Sequence, residues 1–173
     1  VLAYHQPGNE KPRQFMLGPG VSLNRLGFNS QGMEAVARNL KRYQGGNIPI
    51  GISLGKNKDV PDIAAPQMHA LVARRLYDYA AYFVINVSSP NTPRLRELQG
   101  KEPLIKIVTS VINTMEEKGG KKPLFVKIAP DMTFEAVDYW KKQREIGLVW
   151  EPRYDETIQK QAEAFVKIFK KLK

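Results

Sequence analysis

Three short apolar runs, at residues 48–54, 82–87 and 124–128, are separated by longer segments whose apolar residues recur at helical spacing. That alternation limits the fold more than any other feature of the chain. Near-continuous apolar runs bounded by Gly, Pro and Asn read as strands buried on both faces. Strands that alternate with helices pair in parallel, each helix carrying the chain back to the start of the next strand. The first helical set is Met33, Val36, Ala37, Leu40 and Tyr43. The second is Met68, Leu71, Val72, Leu76 and Tyr79, and the third Leu104, Ile105, Val108, Val111, Ile112 and Met115. Each follows the i, i+3, i+4, i+7 rule for a helix with one buried side. Gly119-Gly120 ends the third helix, and Pro123 stops it before the next strand.

The pattern predicts an α/β fold, part of a TIM-type βα barrel with about four to five parallel strands and flanking helices. A complete eight-stranded barrel needs roughly 250 residues, and the chain has 173. It opens on Val1 without an initiator Met, so a piece of something longer is expected. Residues 1–131 form the predicted partial barrel, and residues 1–23, rich in Pro and Gly, read as a strand end plus an excursion over the barrel rim. Residues 132–173 change character. They read as a βα tail that ends in an amphipathic helix carrying Ile158, Ala162, Phe165, Phe169 and Leu172, with Lys160, Lys167, Lys170, Lys171 and Lys173 among the remaining positions.

The composition, 42% hydrophobic and 25% charged, is that of a globular protein. No apolar run approaches the ~20 residues that span a bilayer. The absence of cysteine excludes disulfides, zinc-thiolate sites and a cysteine nucleophile. The formal charge is +10, yet no aromatic-interleaved basic stripe accompanies it. The excess is assigned mostly to solvated surface, with no nucleic-acid partner expected and a basic anion-binding module as the weaker alternative. His5 and His69 have no partners at metal-ligand spacing, and no metal site is expected. His69 falls on the second helix and reads as a surface or packing residue.

The run at 82–85 leads into Asn86-Val87-Ser88-Ser89-Pro90-Asn91-Thr92. A buried strand that ends in this set delivers hydrogen-bonding side chains to its C-terminal end, where βα barrels keep their chemistry. Together with Asn24-Arg25-Leu26-Gly27-Phe28-Asn29 upstream and Val126-Lys127-Ile128-Ala129-Pro130-Asp131 downstream, the segment resembles the quinone-linked (class 2) dihydroorotate dehydrogenases. Gln6-Pro7-Gly8-Asn9 and Leu95-Arg96-Glu97-Leu98-Gln99 extend the likeness, which covers residues 4–131.

The resemblance implies an FMN-dependent oxidation of dihydroorotate to orotate in pyrimidine biosynthesis, with a quinone as acceptor, on the inner bacterial or mitochondrial membrane. It places Ser89 as the catalytic base, where the soluble class uses cysteine, and Thr92 in the hydrogen-bond relay that a hydroxyl base needs. Asn24, Asn86 and Asn91 would meet the pyrimidine, since a carboxamide offers both a donor and an acceptor. The backbone of Arg25, Leu26, Gly27 and Phe28 would close against the substrate carboxylate. Ser53, Asn86 and Lys127 would bind the cofactor, with Lys127 near the flavin edge where negative charge gathers. Lys127 sits within an apolar run and is expected to be buried against an anion or to snorkel out.

Two positions depart from the family pattern. Ser53 stands where the family has a flavin-contacting asparagine, and Arg94 stands where it has glycine. The family's N-terminal strand, its later phosphate-holding loops and its membrane-contacting extension have no counterpart in these residues. An incomplete form, soluble as given, is therefore expected. The alternative is a non-catalytic half-barrel that serves as a structural unit or self-associates through an open sheet edge.

Overall fold

The computed structural model describes residues 1–43, 46–88 and 98–128. All of them fall within one compact unit, Val1–Ala129. The tail at 132–173, Ser89, Asn91, Thr92 and Arg94 lie outside the described residues.

Three strands, β3 (Gly51–Leu54), β4 (Tyr82–Asn86) and β5 (Leu124–Lys127), form a parallel sheet in sequence order. Gly51 pairs with Tyr82 and Leu54 with Ile85, and Phe83 pairs with Leu124 and Asn86 with Lys127. Helix α2 (Ala65–Leu76) connects β3 to β4, and α3 (Lys101–Lys118) lies between β4 and β5. Consecutive strands that sit side by side wind in one direction, as in a barrel. A doubly wound sheet reverses its strand order partway. The described residues thus supply three parallel strands where about four to five were expected.

Strand parity sorts the sheet into two faces. Ile52, Leu54, Phe83, Ile85 and Val87 are at most 3% exposed. Val72, Ala73 and Leu76 of α2 and Leu104, Ile107, Val108, Val111 and Met115 of α3 are buried as well. Burying each large side chain of this set contributes about 1.5–3 kcal/mol. The other face carries Gly51, Ser53, Tyr82, Val84, Asn86, Phe125 and Lys127. There Tyr82 meets Phe125 edge-on, with ring centroids 5.6 Å apart.

All three helical faces differ in part from the sequence reading. On α2 the buried positions are Ala65, His69, Val72, Ala73 and Leu76, while Met68 and Leu71 are half-exposed. Small residues let this helix approach the sheet closely, so alanines, not the larger Met68 and Leu71, line its inner side. On α3, Ile107 and Thr114 turn inward and Ile105 is exposed. Helix α1 (Met33–Leu40) buries Ala37, but Tyr43 lies beyond it in a 3-10 turn and is exposed. Arg75 holds α2 to α1 through a bidentate pair with Glu34, at 2.8 to 3.0 Å.

The excursion at the start of the chain is an antiparallel hairpin of β1 (Gln14–Gly18) and β2 (Val21–Asn24). Residues 1–4 form no strand, contrary to the strand end expected there. Val1 instead pairs its carbonyl with the Gly55 N–H at 3.0 Å, beside the end of β3.

Candidate functional site at the strand ends

Asn86 and Lys127 are register partners at the C-terminal ends of β4 and β5, on the face that the helices leave open. Ser88 lies two residues beyond Asn86, so parity returns its side chain towards the same face. Its hydroxyl donates to Asn86 Oδ1 at 3.0 Å and accepts from Lys127 Nζ at 3.0 Å. The Ser88 N–H also reaches Asn86 Oδ1, at 3.3 Å. Both groups that meet the carboxamide oxygen are donors, which fixes the amide's orientation and leaves its NH₂ to donate to a ligand. The result is a cation, a hydroxyl and a carboxamide in series.

Lys127 is exposed, so of the two expectations its head group reaches out and is not buried within the apolar run. Its aliphatic stem belongs to the open face of the sheet, not to the helix-covered face, so no desolvation cost has to be offset there. The tether to Ser88 nonetheless fixes where its charge sits.

Beside this trio lies a cavity of about 350 Å³, lined by Phe28, Asn29, Ser30, Ser53, Gly55 and Asn86, among others. That volume lies in the usual range for small-molecule sites. Among the described residues no acidic side chain lines it, so an anionic ligand would meet no carboxylate from them. Ser53, one register step before the end of β3, reaches this cavity. Phe28 does so with a φ of 53°, and Gly27 before it has a φ of 68°. Positive φ is disfavoured for a side chain such as phenylalanine, so the turn must be held by its surroundings.

Asn24, Arg25 and Leu26 are exposed and lie outside the cavity lining. Arg25 braces the hairpin: its Nε donates to the Pro12 carbonyl at 3.2 Å and its N–H to the Arg13 carbonyl at 2.8 Å. Of the predicted set the structure therefore brings together Phe28, Ser53, Asn86 and Lys127. Ser88 was missed in the sequence, although strand parity with Asn86 carries the signal. Asn29, although it belongs to the quoted motif, and Ser30 beside it were given no role in the sequence reading.

Below the cavity, the loop after β3 is tied down by Lys56. It is 1% exposed, pairs with Asp62 at 3.2 Å and donates to the Asn57 carbonyl at 3.1 Å. A buried ammonium needs such partners. No group of three or more metal-ligating side chains is found among the described residues.

The sheet order, the polar groups at the strand ends and the adjoining cavity define part of a βα barrel with a candidate small-molecule site in the usual place for that fold. Comparison with known proteins gives the family. The dihydroorotate dehydrogenase family model matches residues 1–149. The chain is 48% identical over 138 residues to a quinone-type dihydroorotate dehydrogenase of Thermosynechococcus vestitus, covering 79% of this chain and 37% of that protein. It is 47% identical over 131 residues to the Christiangramia forsetii enzyme of the same name, covering 75% and 38%. Among solved structures, ligand-free DHODH from Eimeria tenella superposes with a TM-score of 0.73 at 31% identity, over 89% of this chain and 52% of that one. The same enzyme with ferulenol gives 0.72, over 88% and 50%. The chain belongs to the dihydroorotate dehydrogenase family, in its quinone-linked class. It spans less than two-fifths of the length of these two curated relatives.

Proposed function

We propose that this chain contributes to an FMN-dependent site that oxidises dihydroorotate to orotate, with a quinone as final acceptor and a membrane surface as its place of work. The observation that carries the reading is the Asn86–Ser88–Lys127 series beside the cavity. A flavin's pyrimidine edge presents acceptors and gathers negative charge on reduction, and a carboxamide NH₂ next to an ammonium suits both properties. The residues thus fit the group.

FMN, when bound, supplies the acceptor for a hydride from the substrate. Lys127 and Asn86 hold its edge, and Ser53 closes the wall beside β3. Ser89 takes the proton from the carbon next to the substrate carbonyl, and Thr92 passes that proton on towards solvent. Asn24, Asn86 and Asn91 pair with the pyrimidine ring, while the Arg25–Phe28 backbone meets the carboxylate. The exposed apolar side chains Met16, Leu17 and Val21 of the hairpin support an apolar electron acceptor. No described helix is long and apolar enough to cross a membrane.

The test is Ser89→Ala. Anaerobic dihydroorotate should bleach the flavin of the parent chain and leave that of the variant oxidised, with FMN affinity unchanged. Equal bleaching in both would remove Ser89 from the reaction.

A further inference from the structure

Among the described residues, Gln6 is the side chain that bonds the carbonyls of both Gly27 and Phe28. Gln6 is 3% exposed and joins three segments of the chain. Its N–H donates to the Ser30 carbonyl at 2.8 Å, and its carbonyl accepts from the Ser30 N–H at 2.9 Å. Its Nε2 donates to the Gly27 carbonyl at 3.0 Å and to the Phe28 carbonyl at 3.1 Å. Its Oε1 accepts from the Lys58 N–H at 2.8 Å and from Asn57 Nδ2 at 3.5 Å. These partners fix the amide's orientation, because two carbonyls only accept and a main-chain N–H only donates. No other uncharged side chain of that length offers both roles.

Gly27 and Phe28 both have positive φ, and their carbonyls converge on one NH₂. With both carbonyls drawn onto Gln6, the N–H groups of Gly27 and Phe28 have no acceptor among the described residues. Phe28 itself lines the cavity. Adjacent unpaired N–H groups form a concavity that suits an anion.

We infer that Gln6 is the positioning residue of an anion-binding edge in this cavity, its carboxamide holding the Gly27–Phe28 turn so that the free N–H groups meet the ligand's carboxylate. This rests on the proposed function, which supplies the carboxylate. Gln6 touches no ligand itself and acts through the turn. Its Oε1 links that turn to the loop after β3, so both walls are set by one side chain.

The experiment uses Gln6→Met, which keeps the shape and removes the donors and acceptor, and Gln6→Glu, which sets carboxylate oxygens against the two carbonyls. In the ligand-free, isotopically labelled chain, the HN–Hα coupling of Phe28 reports its φ, and amides of α3 such as Val111 serve as reference. We expect the Phe28 coupling and the Gly27 and Phe28 amide signals to change in both variants while the α3 signals hold. In the FMN-loaded chain, Gln6→Met should reduce the preference for orotate over its neutral carboxamide by about tenfold. An unchanged Phe28 coupling in either folded variant overturns the inference, as does a uniform shift of the whole spectrum. A changed coupling with unaltered orotate preference overturns the anion-binding role. Failure of the parent chain to take up FMN would count against the proposed function, and the Phe28 coupling would still decide whether Gln6 holds the turn.

Discussion

His69 shows how one residue can set the pH range of a fold. It is fully buried on the inner side of α2, and its Nδ1 lies 2.7 Å from the Ala65 carbonyl. A carbonyl only accepts, so Nδ1 carries the proton, and Nε2 has no partner among the described residues. Burial, only partly offset by that backbone hydrogen bond, pushes the imidazole down to about 4 from its ordinary 6.5. Between those values the unfolded chain binds a proton that the folded chain refuses, so stability falls as the pH drops. The loss should reach about 2–3 kcal/mol near the lower value. Urea unfolding at neutral and acid pH, compared with His69→Leu, checks it: the variant should lose most of this slope. Equal slopes in both chains would show that His69 is not the group responsible. The sequence placed His69 on the right helix but could not say which way it faced, because the inner side of that helix holds Ala65 and Ala73 beside Val72 and Leu76, while the larger Met68 and Leu71 stay half-exposed.

At the scale of elements, the open face of the sheet depends on small residues under large ones. Gly51 leaves room for the Tyr82 ring, which a Cβ at that position would overlap, and Tyr82 in turn packs edge-on against Phe125. Gly51→Ala should displace that ring and destabilise the chain by about 1–3 kcal/mol. The shift in denaturation midpoint measures this, and near-ultraviolet circular dichroism should register the lost Tyr82–Phe125 contact. An unshifted midpoint would mean that the ring moves aside without cost.

The three strands were legible because apolar runs between turn residues leave few alternatives. The first proved shorter than its run, since Ile48 is 82% exposed and the ladder begins only at Gly51. The two faces were less legible. A run that is apolar throughout does not announce its parity, so Ser88 and the exposure of Lys127 followed only once Asn86 and Lys127 were paired.

For the whole molecule, sheet order and family membership agree: a one-way wound parallel sheet keeps its polar residues at the strand ends. The motifs in the sequence were enough to reach the family, because three separately specific segments, carrying Phe28, Asn86 and Lys127, follow one another in the order of the resemblance. Which predicted residues form one wall was not legible, since Asn24, Arg25 and Leu26 share a motif with Phe28 yet are exposed and lie outside the cavity lining.

The central claim is that Lys127 and its partners hold a flavin edge. The most direct measurement is a fluorescence titration of FMN with the parent chain and with Lys127→Ala. We expect saturable quenching by the parent and an affinity about tenfold weaker in the variant, the effect of removing one charge-assisted contact. Equal affinities, or no saturable binding by the parent chain, would contradict it.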